Sequence, residues 1–149
     1  MPRKQIEGTE TCPVARTLDL VGDRWSMLIV RDAFDGAARF GDFQRRLGVA
    51  RNILADRLRA LVEHGILALQ PAADGSVYQE YALTEKGADL FAVIVALRQW
   101  GERHLFEEGE ARSALVDTVN GRPLATMLPM TADGKVVSAD GAVVRRPRA

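Results

Sequence analysis

Cysteine and histidine are scarce: Cys12, His64 and His104 are the only ones in 149 residues. An intramolecular disulfide is excluded, and so is a zinc site built from Cys and His alone. No apolar run approaches the roughly 20 residues of a membrane-spanning helix. The opening Met1-Pro2-Arg3-Lys4-Gln5-Ile6-Glu7 lacks the apolar segment of a secretory signal, so the expected compartment is the cytoplasm, with no membrane partner. Catalytic groupings are missing too. There is no Ser/His/Asp arrangement, no phosphate-cradling glycine loop and no metal cluster, and neither histidine sits in a recognisable motif. The chain is therefore expected to be no enzyme and to use no metal or cofactor.

Net charge is also lacking, since 20 basic and 20 acidic residues cancel. Their distribution is uneven. Arg39, Arg45, Arg46, Arg51, Arg57 and Arg59 face only Asp42 and Asp56 over residues 39–59. Over residues 85–110 the balance reverses, with Glu85, Asp89, Glu102, Glu107, Glu108 and Glu110 against Lys86, Arg98 and Arg103. A positive face and a negative face would orient the protein over a phosphate surface. What remains is an ordinary globular composition, 47% hydrophobic and 27% charged, long enough for one domain with a core and a small appendage.

The apolar periodicity predicts four helices in succession. The first covers 13–22, with Pro13 at its first position and Gly22 at its end. Asp23 caps a second whose stripe is Trp25, Leu28, Ile29 and Ala33, closed by Gly36. Phe40, Phe43 and Leu47 mark a short third. In the fourth, Leu54, Leu58, Leu61 and Val62 share one side while Asn52, Asp56, Arg59 and Glu63 face away, and Gly65 stops it. Two β-prone segments, Ile66 to Gln70 and Val77 to Leu83, enclose an Asp74-Gly75 turn and read as a hairpin. Thr84 then caps a long helix to about His104. Along it Leu90, Ile94, Leu97, Gly101 and His104 recur at 3–4 spacing, with Phe91, Val95 and Trp100 on neighbouring faces. So broad an apolar surface calls for a symmetric partner helix. From Ala111 on, Asn120-Gly121, Asp133-Gly134 and Asp140-Gly141 punctuate short pieces that look like small hairpins, followed by a basic tail at Arg145, Arg146 and Arg148.

This order is that of an α+β, mostly α, winged helix-turn-helix with a long C-terminal dimerisation helix and a β-hairpin appendage. The domain reading is 1–111 for DNA binding and dimerisation and 112–149 for the extension. Six blocks carry a closer resemblance: Cys12-Pro13-Val14, Leu18 to Trp25, Arg39 to Leu47, Leu54 to Leu61, Tyr81 to Gly87, and Trp100-Gly101. Over residues 12 to 105 the chain resembles the HxlR-type branch of the MarR-like bacterial transcription regulators. The resemblance implies a cytoplasmic homodimer that binds double-stranded DNA over a pseudo-palindrome.

A recognition helix in the major groove needs base-reading side chains, and 51–64 supplies them. Asn52 suits adenine, Arg51 or Arg59 guanine, and Ala55 a thymine methyl. Asp56 either accepts from cytosine or holds Arg59 one turn on. Arg39, Gln44 and Arg45 are placed for phosphate, and Ser76 and Gln79 offer polar wing contacts. Relatives often carry a basic wing and a Ser or Thr cap where this chain has Asp74 to Glu80 without a cation and Ala50 without a capping oxygen. The expected dimer surface is Val14, Leu18, Leu90, Ile94, Leu97, Trp100, Gly101 and His104. Cys12 precedes a helix N-terminus with Arg16 one turn on, an environment that favours thiolate. The resemblance adds that some relatives sense oxidants or electrophiles at the matching cysteine; the alternative is a small residue packed against the partner. A small-molecule effector could bind near Trp25, Phe91 or Trp100, aromatics that otherwise serve as core. The C-terminal segment resembles the zinc-ribbon-like extension of some relatives, with Asn120-Gly121 and Asp133-Gly134 where Cys-Gly pairs would stand, so no metal is expected. A competing class is a winged-helix protein-interaction module that never touches DNA.

Overall fold

The computed structural model describes residues 9–148. After a 3₁₀ turn, Thr9–Thr11, come α1 (Pro13–Val21), α2 (Arg24–Phe34), α3 (Phe40–Leu47) and α4 (Arg51–Glu63). An antiparallel hairpin, β1 (Leu67–Pro71) with β2 (Gln79–Leu83), is followed by α5 (Glu85–Ala88) and α6 (Phe91–His104). The chain divides into one compact unit ending at Ala92 and a second beginning at Val93, two residues into α6. The reading at 111/112 follows composition; this division follows packing.

In the first unit, the leucines of α4 point inward. Leu54, Leu58 and Leu61 are buried with Phe43, Ile29, Val30, Ile66 and Leu67, each large side chain contributing about 1.5–3 kcal/mol by leaving water. Asp23 starts α2 by accepting from the Trp25 and Ser26 amides, both at 3.0 Å. Gly48 ends α3 with φ 61°, the left-handed cap that lets the chain turn abruptly into α4. The hairpin register pairs Leu67 with Leu83 and Leu69 with Tyr81. It is fastened to the helices twice: the Tyr81 N–H donates to the Ala38 carbonyl at 2.7 Å, and the Tyr81 ring meets Phe43 edge-on at 6.2 Å. Val77 and Tyr78, read as strand, stand in the loop instead.

The long helix expected from 84 to 104 is broken. Thr84 does cap α5, accepting from Gly87 N–H at 3.0 Å while donating to the Gly65 carbonyl. Gly87 lies so close to the Ile66 carbonyl that a Cβ there would sit 2.1 Å from its oxygen. With this turn pinned to the start of the hairpin, the Leu90 N–H bonds back to Gly87 at 3.1 Å, a tight i–3 contact that interrupts the ladder before α6 begins.

In the second unit, polar clasps hold the C-terminal segment to α6. Arg98 Nη1 donates to the Ser113 carbonyl and hydroxyl, both at 3.0 Å. Gln99 donates to the Ala125 carbonyl and accepts from the Met127 N–H. Arg112 donates to the Glu102 carbonyl at 3.0 Å. Two single bridges, Val116 with Pro123 and Met130 with Val136, flank Asn120-Gly121 and Asp133-Gly134 as expected. At Asp140-Gly141 the expectation fails. Residues Ala139–Gly141 form a 3₁₀ turn, because the Ser138 hydroxyl bonds to the Asp140 carboxylate and its carbonyl accepts from Gly141.

Candidate nucleic-acid interface

The outward side of α4 is set by the burial of its inward side. With Leu54 and Leu58 at 1% and 0% exposure, helical spacing leaves Arg51, Asn52, Asp56, Arg59 and Glu63 exposed and Ala55 half-buried. Ala50, at the N-cap, makes no side-chain capping bond, so the first turn presents bare backbone N–H groups. His64 forms the C-cap, and its carbonyl accepts from Lys86 Nζ at 2.7 Å. The helix is anchored at mid-length by Arg57, whose Nη1 lies 3.6 Å from the Asp23 carboxylate. Burial raises the Asp23 pKa, but the Ser26 hydroxyl and amide, Arg57 and the Trp25 amide together hold it below its ordinary value.

α3 packs before α4 with Phe43 buried and Gln44 half-exposed. Its N-terminus is closed by Asp42, which accepts from the Arg39 and Ala38 amides at 2.9 and 3.1 Å. Those two bonds lower the Asp42 pKa, helped by Arg45.

The local basic surplus is smaller in space than along the chain. Arg45 pairs with Asp42 at 2.7 Å, Arg46 with Asp35 at 2.9 Å, Arg57 with Asp23, and Arg59 with Asp56 at 3.4 Å. Arg51 instead lies over the Phe40 ring, 4.8 Å from its centroid. Asp56 therefore does hold Arg59 in this state. Both groups are about two-thirds exposed, and such a surface pair is worth at most about 1 kcal/mol, so it yields readily to a stronger partner.

Arg39, expected at phosphate, has the most intramolecular partners of these arginines in the free protein. Its guanidinium is engaged by the hairpin: Nη2 donates to Asp74 Oδ2 at 2.5 Å and to Ser76 Oγ at 3.3 Å, Nε lies 3.7 Å from Glu80, and the Tyr78 ring stacks 5.1 Å away. Gln79 is exposed. The sequence reading missed this cluster because its members stand 35 to 41 positions apart. The only signal was an acidic wing opposite a basic helix start.

Elsewhere in the first unit, Val14 and Leu18 stand exposed on α1 at 67% and 55%. Cys12 is the half-buried N-cap of α1, and Arg16 turns its Nε and Nη2 onto the Glu10 carbonyl. In the second unit, Leu97 and Trp100 are more than half exposed, and Trp100 lies against His104. Ile94 and Gly101 are half-buried, as is Leu90 at the end of the first unit.

A buried three-helix core, an outward α4 following the sharp α3 turn, and a hairpin clasped to the start of α3 define a winged helix-turn-helix protein. The HxlR-like helix-turn-helix family model matches residues 20–109, and the chain belongs to that family, in which its relatives are named HTH-type transcriptional regulators. It is 51% identical over 92 residues to the HTH-type transcriptional regulator Mb3122 of Mycobacterium bovis; the match takes in 62% of this chain and spans only 58% of that relative's length. Its structure resembles that of PA1607 at a TM-score of 0.87 with 52% identity, covering 92% of this chain and 96% of that one, which brings in most of the C-terminal extension. The HTH-type transcriptional regulator YodB of Bacillus subtilis is 32% identical over 98 residues, 64% of this chain and 88% of YodB. The reduced form of YodB superposes at a TM-score of 0.55, covering 66% of this chain and 98% of YodB; YodB is also solved diamide-treated and quinone-bound. No described helix is long and apolar enough to cross a membrane.

Proposed function

We propose that the protein is a sequence-specific transcription regulator that binds duplex DNA as a homodimer. The observation that carries this reading is the free outer side of α4, with Arg51, Asn52, Asp56 and Arg59 exposed over a helix whose other side is core. Laid in a major groove, these side chains and Ala55 meet base edges, while Gln44, Arg45, Ser76 and Gln79 lie toward phosphate. The paired arginines do not oppose this reading, since a phosphate or guanine edge replaces an exposed carboxylate at little expense. Dimerisation is supported by the uncovered apolar groups Val14 and Leu18 on α1 and Leu97 and Trp100 on α6. Two recognition helices related by a twofold axis would read half-sites about 34 Å apart.

Cys12 is the regulatory candidate. YodB's diamide-treated and quinone-bound forms support thiol chemistry at this level of relatedness. Diamide takes two electrons and two protons from two Cys12 thiols of a dimer, leaving an intermolecular disulfide, and a quinone adds one thiol across its ring. Neither of two surface clefts, one on α6 and one beside Thr84, is lined by Trp25, Phe91 or Trp100.

The test is binding to a random duplex pool at several salt concentrations, followed by recovery of the bound sequences. A regulator gives an affinity that falls steeply with salt and an enriched palindrome. Flat or undetectable binding indicates a protein-interaction module. Sedimentation equilibrium of Leu97→Glu is expected to show monomer where the natural chain is dimer. Cys12→Ser is expected to abolish any diamide response, and a response that persists removes the thiol from the mechanism.

A further inference from the structure

We propose that Arg39 is a strut that fixes the wing against the start of α3, and that its charge is thereby withheld from the DNA backbone. The inference rests on the DNA-binding reading and adds how the wing takes part in it.

Four groups converge on one guanidinium from the hairpin loop and the start of β2, 35 to 41 residues away. They are a carboxylate in direct contact (Asp74), a hydroxyl (Ser76), a second carboxylate (Glu80) and an aromatic face (Tyr78). Arginine suits such a place because its planar fork donates in several directions and stacks at the same time, which a lysine ammonium cannot do. The backbone of the same residue is held separately, its N–H donating to Asp42 at 2.9 Å. Asp74 is itself fixed, accepting from the Ser76 amide at 2.9 Å. Bonds from Ser76 and Arg39 hold the Asp74 carboxyl down at about 2, so the clasp is charged near neutral pH. One cation faces two carboxylates, which leaves this corner net negative where a winged helix would otherwise lay a positive charge along phosphate. Between the clasp residues Ser76 and Glu80 the hairpin loop presents Val77, 95% exposed, and Tyr78, 62% exposed. An apolar wing tip held at a fixed angle contributes shape and sugar contact, not charge.

The experiment compares the natural chain, Asp74→Asn, Arg39→Ala and the double variant. One readout is the slope of log K against log salt on one duplex; the other is hydrogen exchange of the Ser76 and Tyr81 amides. Releasing Arg39 by Asp74→Asn is expected to add one phosphate contact, steepening the slope by about 0.9 and raising low-salt affinity several-fold. That gain is expected to vanish in the double variant. Arg39→Ala alone should leave the slope unchanged while Ser76 exchanges faster. If instead Arg39→Ala flattens the slope by about 0.9 and Asp74→Asn does not steepen it, Arg39 is already on phosphate and the proposal is overturned. Unchanged exchange in Arg39→Ala refutes the strut independently of DNA. A natural chain with no salt-dependent binding refutes the regulator reading instead, and the exchange data still decide the strut.

Discussion

Arg59→Ala tests the recognition face most directly, because the structure fixes what the side chain gives up and what it gains. In the free protein Arg59 holds Asp56 across 3.4 Å with both groups about two-thirds exposed. A pair in that setting contributes about 0.2–1 kcal/mol, whereas a bidentate contact to guanine discriminates by about 1–3 kcal/mol. Exchange of one for the other is therefore downhill, and removing Arg59 should weaken binding to a selected duplex by about 1–3 kcal/mol, some 5- to 150-fold in Kd. Fold stability should move by no more than about 0.5 kcal/mol, as for exposed positions in general. Fluorescence anisotropy against the selected duplex and a scrambled one, with chemical denaturation of both proteins, measures all three quantities. Equal losses on the two duplexes would make Arg59 a phosphate contact. No loss on either would remove this face of α4 from the interface altogether.

Gly87→Ala should destabilise the fold by about 3 kcal/mol in urea, since the added Cβ meets the Ile66 backbone oxygen at 2.1 Å and neither partner can step aside. Ala50→Ser should stabilise it by about 0.5–2 kcal/mol by supplying the cap that α4 lacks, and a neutral result would show that the first turn is already satisfied by water. Asp23, Asp42 and Asp74 are all held below their ordinary value of 3.8, with Asp74 at about 2. Their contribution is complete above that value and is lost as pH falls through the lowered ones, so stability should drop below about pH 4, and less steeply in Asp42→Asn.

Periodicity made most of the first unit readable. The spacing of Leu54, Leu58 and Leu61 commits one side of α4 to the core, and Asp23, Gly48 and Thr84 mark turns by local chemistry that needs no distant partner. The single long helix was misread because the feature that breaks it is non-local. Nothing in Ala88-Asp89-Leu90 forbids a helix; the contact of Gly87 with the Ile66 carbonyl, 21 positions upstream, redirects the chain. The Asp140-Gly141 turn failed for a smaller reason, a 3₁₀ turn closed by the Gly141 N–H on the Ser138 carbonyl where a hairpin was expected.

Charge shows the same divide more sharply. The sequence alone carried the family resemblance, in six blocks of matching spacing, and, apart from the break between α5 and α6, it gave the order of elements in the first unit and the polar side of α4, because helix and turn signals depend on residues a few positions apart. Only the tertiary structure decided where the charges go. It turned a run of arginines into a set of ion pairs and set the Arg39 guanidinium against Asp74, Ser76, Tyr78 and Glu80 of the wing. Coulomb attraction and hydrogen bonding act through space, and folding brings carboxylates such as Asp74 within bonding distance of cations that lie far from them along the chain.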